Sequence, residues 1–300
     1  MRIVVWGYKG QLGTELMLRS RREAIDAVGA DIPHGDITSA ASVAGTMADA
    51  GDVDAVINAC AYTAVDQAES QPELAMAVNS EGAGHLARTC RQMDIPLIHI
   101  STDYVFSGLG SRPYRPNDAI GPKGVYAQSK AQGEAAVRRH AGRHVIMRVA
   151  WLFGQHGSNF VKTMLRLGRQ HAIVRVVDDQ VGSPTYAGDL AEALLRVARK
   201  IQHDFTAWGT YHYCNQDAVT WHAFARKIFA LARNHESLAV GEVIPISTAD
   251  YPTPAPRPRY SVLDCGRFDE VFNIPRRPWE EALKEMLTDL YDAEGIPDPH

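Results

Sequence analysis

The sequence predicts an α/β protein: a doubly wound parallel sheet with a smaller C-terminal α/β lobe. Three observations carry that expectation. Short apolar runs alternate with helical stretches through the first half of the chain. A glycine-rich turn follows the first run at once. After about residue 155 the alternation loosens and prolines gather in one segment. Residues 1–155 are therefore read as the dinucleotide-binding part. Residues 156–300 are read mainly as a substrate lobe folded against the sheet, not as an independent domain.

The elements follow in order. Arg2-Ile3-Val4-Val5-Trp6 is a short apolar run ending at glycine, as a buried parallel strand does. Thr14 to Arg22 has helical composition. Val53 to Asn58 is a second strong strand. Glu73 to Met93 is rich in Ala, Leu, Met and Glu and predicts one long helix, with Pro72 suited to its first turn. Ile95 to Ser101 predicts a strand, Gly124 to His140 a helix and His144 to Trp151 the next strand. Right-handed crossovers place the helices on both faces. In the second half, Asn159 to Gln170 and Ala187 to Lys200 predict helices, and Ile173 to Val177 and Tyr211 to Cys214 strands. Thr220 is an N-cap candidate for a helix running to Arg233. Tyr251 to Arg259 holds four prolines in nine residues and must be an extended connector. Pro278 opens a last helix ending near Tyr291.

Composition narrows the function classes. Hydrophobic content of 45% and charged content of 22% are ordinary for a globular protein. A formal charge of −4 offers no bulk attraction to nucleic acid or anionic membrane. Cys60, Cys90, Cys214 and Cys265 form neither a C-x-x-C pair nor a metal-ligand spacing, and read as reduced thiols. No segment approaches the roughly 18 apolar residues of a membrane span. The first apolar run is too short for a signal peptide, so the expected setting is cytoplasmic.

Gly7-Tyr8-Lys9-Gly10-Gln11-Leu12-Gly13 joins the first strand to a helix. Glycines allow the tight turn and let backbone amides approach a pyrophosphate, which the helix N-terminus attracts. This predicts a Rossmann-type dinucleotide site. The G-x-x-G-x-x-G spacing is typical of extended short-chain dehydrogenase/reductase folds. The stretch Ala24 to Gly29, where an acid for the adenosine ribose is expected, carries none at its end. Asp31 lies a little beyond and can substitute or be a loop residue, which leaves NADH and NADPH both open. Asp36 is either an adenine contact or the N-cap of the next helix.

Tyr126 and Lys130 are four residues apart and share one face of the predicted helix. A lysine charge favours phenolate. Moving a phenol from ~10 to ~7 takes roughly 4 kcal/mol, and a unit charge at about 4 Å supplies roughly that at an effective dielectric near 20. Such a tyrosine can protonate a carbonyl oxygen while a nicotinamide delivers hydride. Thr102 falls at the carboxyl end of the Ile95–Ser101 strand, where ligands of open α/β sheets bind, and can orient that oxygen.

Four motifs recur in family order: Gly7-x-x-Gly10-Gln11-Leu12-Gly13, Asn58-Ala59-Cys60-Ala61-Tyr62-Thr63-Ala64-Val65-Asp66, Ser101-Thr102-Asp103-Tyr104-Val105-Phe106 and Val125-Tyr126-x-x-Ser129-Lys130. Together with Arg148 to Gly154 and Asp179-Gln180-x-Gly182-x-Pro184-Thr185, they resemble the dTDP-4-dehydrorhamnose reductases over nearly the whole chain. The resemblance implies reduction of a nucleotide-linked 4-keto-6-deoxysugar by NADPH or NADH. It implies Gly7, Gly10, Gln11 and Leu12 at the cofactor pyrophosphate, Asp36 and Ile37 near adenine, and Ala61, Tyr62 and Thr63 along the cofactor cleft. It gives Thr102, Asp103 and Trp151 to the sugar, Tyr126 and Lys130 to catalysis, and Arg257 and Arg259 to the substrate diphosphate or to a solvated linker. Some members use magnesium at a homodimer interface near Glu15, although a single carboxylate on a helix is usually just solvated. Two alternatives stand beside this reading. One is a reductase of another nucleotide-linked keto-sugar. The other is a non-catalytic partner like the regulatory subunit of methionine adenosyltransferase, which has this fold.

Overall fold

The computed structural model describes residues 1–202 and 204–294. Side chains of Arg2–Trp6 (β1) alternate between two cores: Ile3 and Val5 enter one, Val4 and Trp6 the other. A strand buried on both faces belongs inside a parallel sheet. Accordingly β1 pairs in parallel with Asp26–Ala30 (β2) on one side and Ala55–Asn58 (β3) on the other. Leu97–Thr102 (β4), His144–Val149 (β5) and Gly209–His212 extend the sheet beyond β3, all parallel. The order is β2-β1-β3-β4-β5 and then the 209–212 strand. The direction of winding reverses between β1 and β3, so a crevice opens beyond the carboxyl ends of that pair.

Gln11–Arg22 (α1) and the helix Ala187–Lys200 cover one face, burying Leu12, Leu16, Leu190 and Leu194. The other face takes Ala40–Ala50 (α2), with Val43 and Met47 inward. The chain then forms Val65–Ala68 (α3), Pro72–Met76 (α4), Ala83–Gln92 (α5) and Val125–His140 (α6). The helix expected over Glu73 to Met93 is thus interrupted: a π-helical turn, Ala77–Gly82, separates α4 from α5. Pro72 does occupy the first turn of α4. α1 starts three residues before Thr14, with Gly10 as its N-cap. The strand expected to reach Trp151 stops at Val149, because Trp151 adopts a left-handed φ of 47°.

The second half builds its own apolar core. Phe160–Gln170, Trp221–Ala232 and Trp279–Glu294 pack around a two-stranded ribbon of Ile173–Val177 and Glu242–Ile246. Met164, Phe224, Phe229, Trp279 and Leu283 fill it. Asn159 and Thr220 cap the first two helices through their side chains, as their types favour. The 209–212 strand and Phe268 belong to the first core, so the second half also completes the sheet.

Candidate active site

The turn after β1 lies in the crevice. Gly7 has φ +78°, and a Cβ there would meet the Cys60 backbone at 2.7 Å. A Cβ on Gly13 would lie 2.1 Å from the Gly7 carbonyl, so only glycine lets α1 start this close to the turn. No side chain caps α1, which leaves its first amides free for an anion. These observations fit a pyrophosphate at Gly7, Gly10, Gln11 and Leu12. Gln11 is also tied to the second half, where Asn159 Nδ2 donates to its Oε1 at 2.8 Å.

β2 runs to Ala30, one residue past the expected stretch, because Gly29 makes room for the Tyr8 ring. Asp31 therefore directly follows the strand end, supplying the acid that the Ala24 to Gly29 stretch lacks at its end. Its carboxylate accepts from Ile32 N at 2.9 Å and faces Lys9 N at 3.4 Å. Asp36 is not the N-cap of α2: Ser39 caps it, and Asp36 Oδ1 accepts from Thr38 N and Oγ1 at 2.9 and 2.8 Å. Ile37 commits its side chain to the core beneath α2 and α5.

Ala61, Tyr62 and Thr63 follow β3. Their loop is fastened by Asn79 of the π turn, which accepts from Tyr62 N at 2.9 Å and donates to Tyr62 O at 3.1 Å. The same amide donates to Ser129 Oγ of α6 at 2.9 Å. Asn79 thus joins the cofactor-side loop to the helix of Tyr126. Sequence reasoning missed it, although an asparagine inside an Ala-rich helix is a signal, since it competes with helical backbone.

Tyr126 and Lys130 lie one turn apart on α6 and are buried. Lys130 Nζ donates to Ile100 O at 2.7 Å. Burial pushes its ammonium down to about 8, against the pull of Glu134 and Cys60. Burial pushes the Tyr126 phenol up, opposed by the Thr102 hydroxyl that faces it, with Asp103 and Tyr104 adding to the rise. The lowering expected from Lys130 is not found: desolvation of the phenolate sets the direction, and Thr102 is the group that opposes it. Thr102 ends β4 and donates to Asp103 Oδ1 at 3.0 Å. Burial raises Asp103 to about 6, against the hydroxyls of Ser261 and Thr102 that face it, and its Oδ2 still lacks a close partner. Behind this row, Arg148 and Ser101 hold Glu134 in a buried network at 2.6–2.7 Å.

Trp151 stacks on Trp221, with centroids 3.4 Å apart and planes 7° apart. Gly182 makes room for the indole, since a Cβ would fall 2.3 Å from it. One face of Trp151 is therefore covered, and Trp221 reaches the adjoining cleft instead. That cleft, about 470 Å³, runs between Tyr104 and the second half and is lined among others by Asp66, Arg175, Trp221, Tyr251 and Arg257. Tyr104 packs edge-on against Tyr126 at 5.6 Å, linking cleft and phenol. Arg257 lines it, whereas the Arg259 side chain is 70% exposed and 4.0 Å from Asp179. A separate cavity of about 330 Å³ near Arg19 and Arg277 lies among ion pairs and none of its lining residues belongs to this row. Glu15 is buried and paired with Arg19 at 3.5 Å, and among the described residues no three metal-ligating side chains gather. No described helix is long and apolar enough to cross a membrane.

A glycine turn at the switch point of a parallel sheet, with Tyr-x-x-x-Lys on the facing helix, defines the extended short-chain dehydrogenase/reductase class. Within that class the match is specific. The family model described as "RmlD substrate binding domain" covers residues 1–292. The dTDP-4-dehydrorhamnose reductase of Aggregatibacter actinomycetemcomitans is 40% identical over 290 residues, 95% of this chain and 98% of that one. The crystal structure of the Clostridium acetobutylicum reductase matches with a TM-score of 0.90 at 36% identity, over 97% and 99% of the two chains. That of the Bacillus anthracis reductase, in complex with NADP, matches at 0.89 and 34%, over 96% and 99%. The chain belongs to the dTDP-4-dehydrorhamnose reductase family.

Proposed function

We propose that the protein reduces the 4-keto group of dTDP-4-dehydro-L-rhamnose, giving dTDP-L-rhamnose. The observation that carries this reading is the buried row Thr102–Tyr126 beside Lys130, set between the glycine turn and the cleft. A bound reduced nicotinamide supplies the hydride. Thr102 orients the carbonyl oxygen once its hydroxyl turns from Asp103 to the substrate, and Tyr126 gives that oxygen a proton. The raised phenol value suits that role, since the donor stays protonated until negative charge develops on the oxygen. Lys130 offers its ammonium to the nicotinamide ribose from the Ile100 carbonyl. Asp103 supports Thr102 from behind and meets the sugar only at its edge, being 2% exposed. Arg257 and Arg175 face the substrate diphosphate in the cleft. The lobe formed mainly by residues 156–300 supplies the far wall.

Asp31 bears on cofactor choice. A carboxylate at the strand end favours a free ribose hydroxyl over a phosphate, and Lys9 Nζ is spent on Ile32 O at 2.7 Å. We read the protein as using NADH at least as well as NADPH. Asp31→Ala should raise the ratio of kcat/KM for NADPH over NADH about tenfold, and an unchanged ratio would remove Asp31 from that role. Light scattering tests the homodimer that family resemblance implies.

Turnover is tested by mixing purified protein, reduced nicotinamide and a panel of nucleotide-linked keto-sugars. Loss of the reduced-nicotinamide absorbance with the dTDP-4-keto sugar is expected. Faster turnover of a different sugar would redirect the substrate assignment. No turnover of any would favour the non-catalytic alternative.

A further inference from the structure

The proline-rich strap from Tyr251 to Arg259 runs along the cleft with no helix or strand of its own, and its far end meets one, where Arg259 O accepts from Val181 N at 2.9 Å. Proline stiffens it but cannot anchor it. Its middle is held by one side chain 189 residues away: Asp66 Oδ1 accepts from Ala255 N at 3.2 Å. Asp66 Oδ2 accepts from Arg257 Nη2 at 2.7 Å. The same short segment holds α6, because Glu69 Oε1 accepts from Val125 N at 2.8 Å. Pro256 closes on that junction, where a Cβ on Gly124 would lie 3.1 Å from its ring. Arg257 Nη1 points at Tyr104 Oη, 3.4 Å away, and Tyr104 packs against Tyr126. A surface ion pair would explain the contact blandly and be worth little. Against that, both carboxylate oxygens are used, on two anchors of one strap, and the Arg257 side chain is 21% exposed where that of Asp66 is 41%.

We propose that Asp66 is a positioning residue for substrate binding: it clamps the strap and sets Arg257 where a nucleoside diphosphate meets it. The inference rests on the cleft being the nucleotide-sugar site. Its sign is diagnostic. By charge alone, removing a carboxylate beside an arriving diphosphate would tighten binding. A clamp predicts the opposite.

The test uses the full chain and dTDP as the probe, with titration calorimetry on wild type, Asp66→Ala, Asp66→Asn and Asp66→Glu. Asp66→Ala and Asp66→Asn should weaken dTDP about tenfold. The KM for the keto-sugar should rise in parallel, with kcat and cofactor affinity held, and Asp66→Glu should recover part of the loss. Trypsin reports the strap itself. The Arg257-Pro258 bond resists it, so cleavage after Arg259 should quicken in Asp66→Ala and slow again when dTDP is added. Equal or tighter dTDP binding by both neutral variants would overturn the clamp while leaving the site intact. A fall in kcat with dTDP affinity unchanged would overturn it too, pointing instead to α6. Wild-type protein that fails to bind dTDP would sink the cleft assignment along with the clamp.

Discussion

At the residue scale, the proposed chemistry rests on Tyr126, Lys130 and Thr102, which the Tyr-x-x-x-Lys spacing and a strand end make legible in the sequence alone. The direction of the Tyr126 shift is not legible there, because burial is not written in local sequence. The phenol is raised by desolvation, and the lysine is lowered to about 8 by the same cause. That value makes a prediction. Lys130 carries its charge below about 8 and loses it above. If the charge grips the cofactor ribose, kcat/KM for the cofactor should fall on the alkaline side of that value. Lys130→Met should show low activity without that limb. A limb that persists in the variant would assign it elsewhere. Asn79 and Asp66 are not legible as site residues. Each acts through a partner far along the chain, Ser129 for one and Arg257 for the other.

At the element scale, the alternation of strands and helices in the first half is readable because each strand is a continuous apolar run. The π turn at Ala77–Gly82 is not, since no glycine or proline breaks the helical composition ahead of Gly82. Its cause is tertiary. Gly133 of α6 lies against Asn79, and a Cβ there would stand 2.1 Å from the Asn79 carbonyl. Gly133→Ala must push α6 away from the π turn, and overpacking of this kind costs roughly 1–3 kcal/mol. Denaturant titration should show the loss, together with a raised KM for the cofactor. A variant as stable as wild type would mean that the two elements separate freely. Glu242–Ile246 escapes a sequence reading because Pro245 argues against a strand; as one side of a two-stranded ribbon it is tolerated. Gly266–Phe272 escapes it because seven residues give too few turns for a periodic signal.

At the scale of the whole molecule, the two halves share a sheet and a buried polar seam whose protonation sets acid stability. Burial and Arg148 hold His212 near 3 against an ordinary 6.5. The unfolded chain therefore binds that proton first, and stability falls as pH drops from 6.5 towards 3. Glu134 acts in the same sense. Burial alone would raise it, but Arg148, Ser101 and Arg138 hold it near 2 against 4.5, so stability is lost between those values. Asp103 opposes them, because burial raises it from 3.8 to about 6 and the folded state gains stability as it protonates. His212 moves further from its ordinary value than Asp103 does, and Glu134 adds to the loss below about 4.5. The denaturation midpoint should be lower at pH about 4 than at about 7, and a midpoint that rises towards acid would contradict this balance. The seam is invisible in sequence, where Glu134, Arg148 and His212 are separate polar residues within an α-helix and two strands.

The central claim is that Tyr126 is the proton donor to a sugar ketone. It is tested most directly by Tyr126→Phe with saturating reduced nicotinamide and dTDP-4-keto sugar. The expected kcat lies roughly 2–4 orders of magnitude below wild type, with dTDP and cofactor affinities preserved. A kcat near wild type would contradict it.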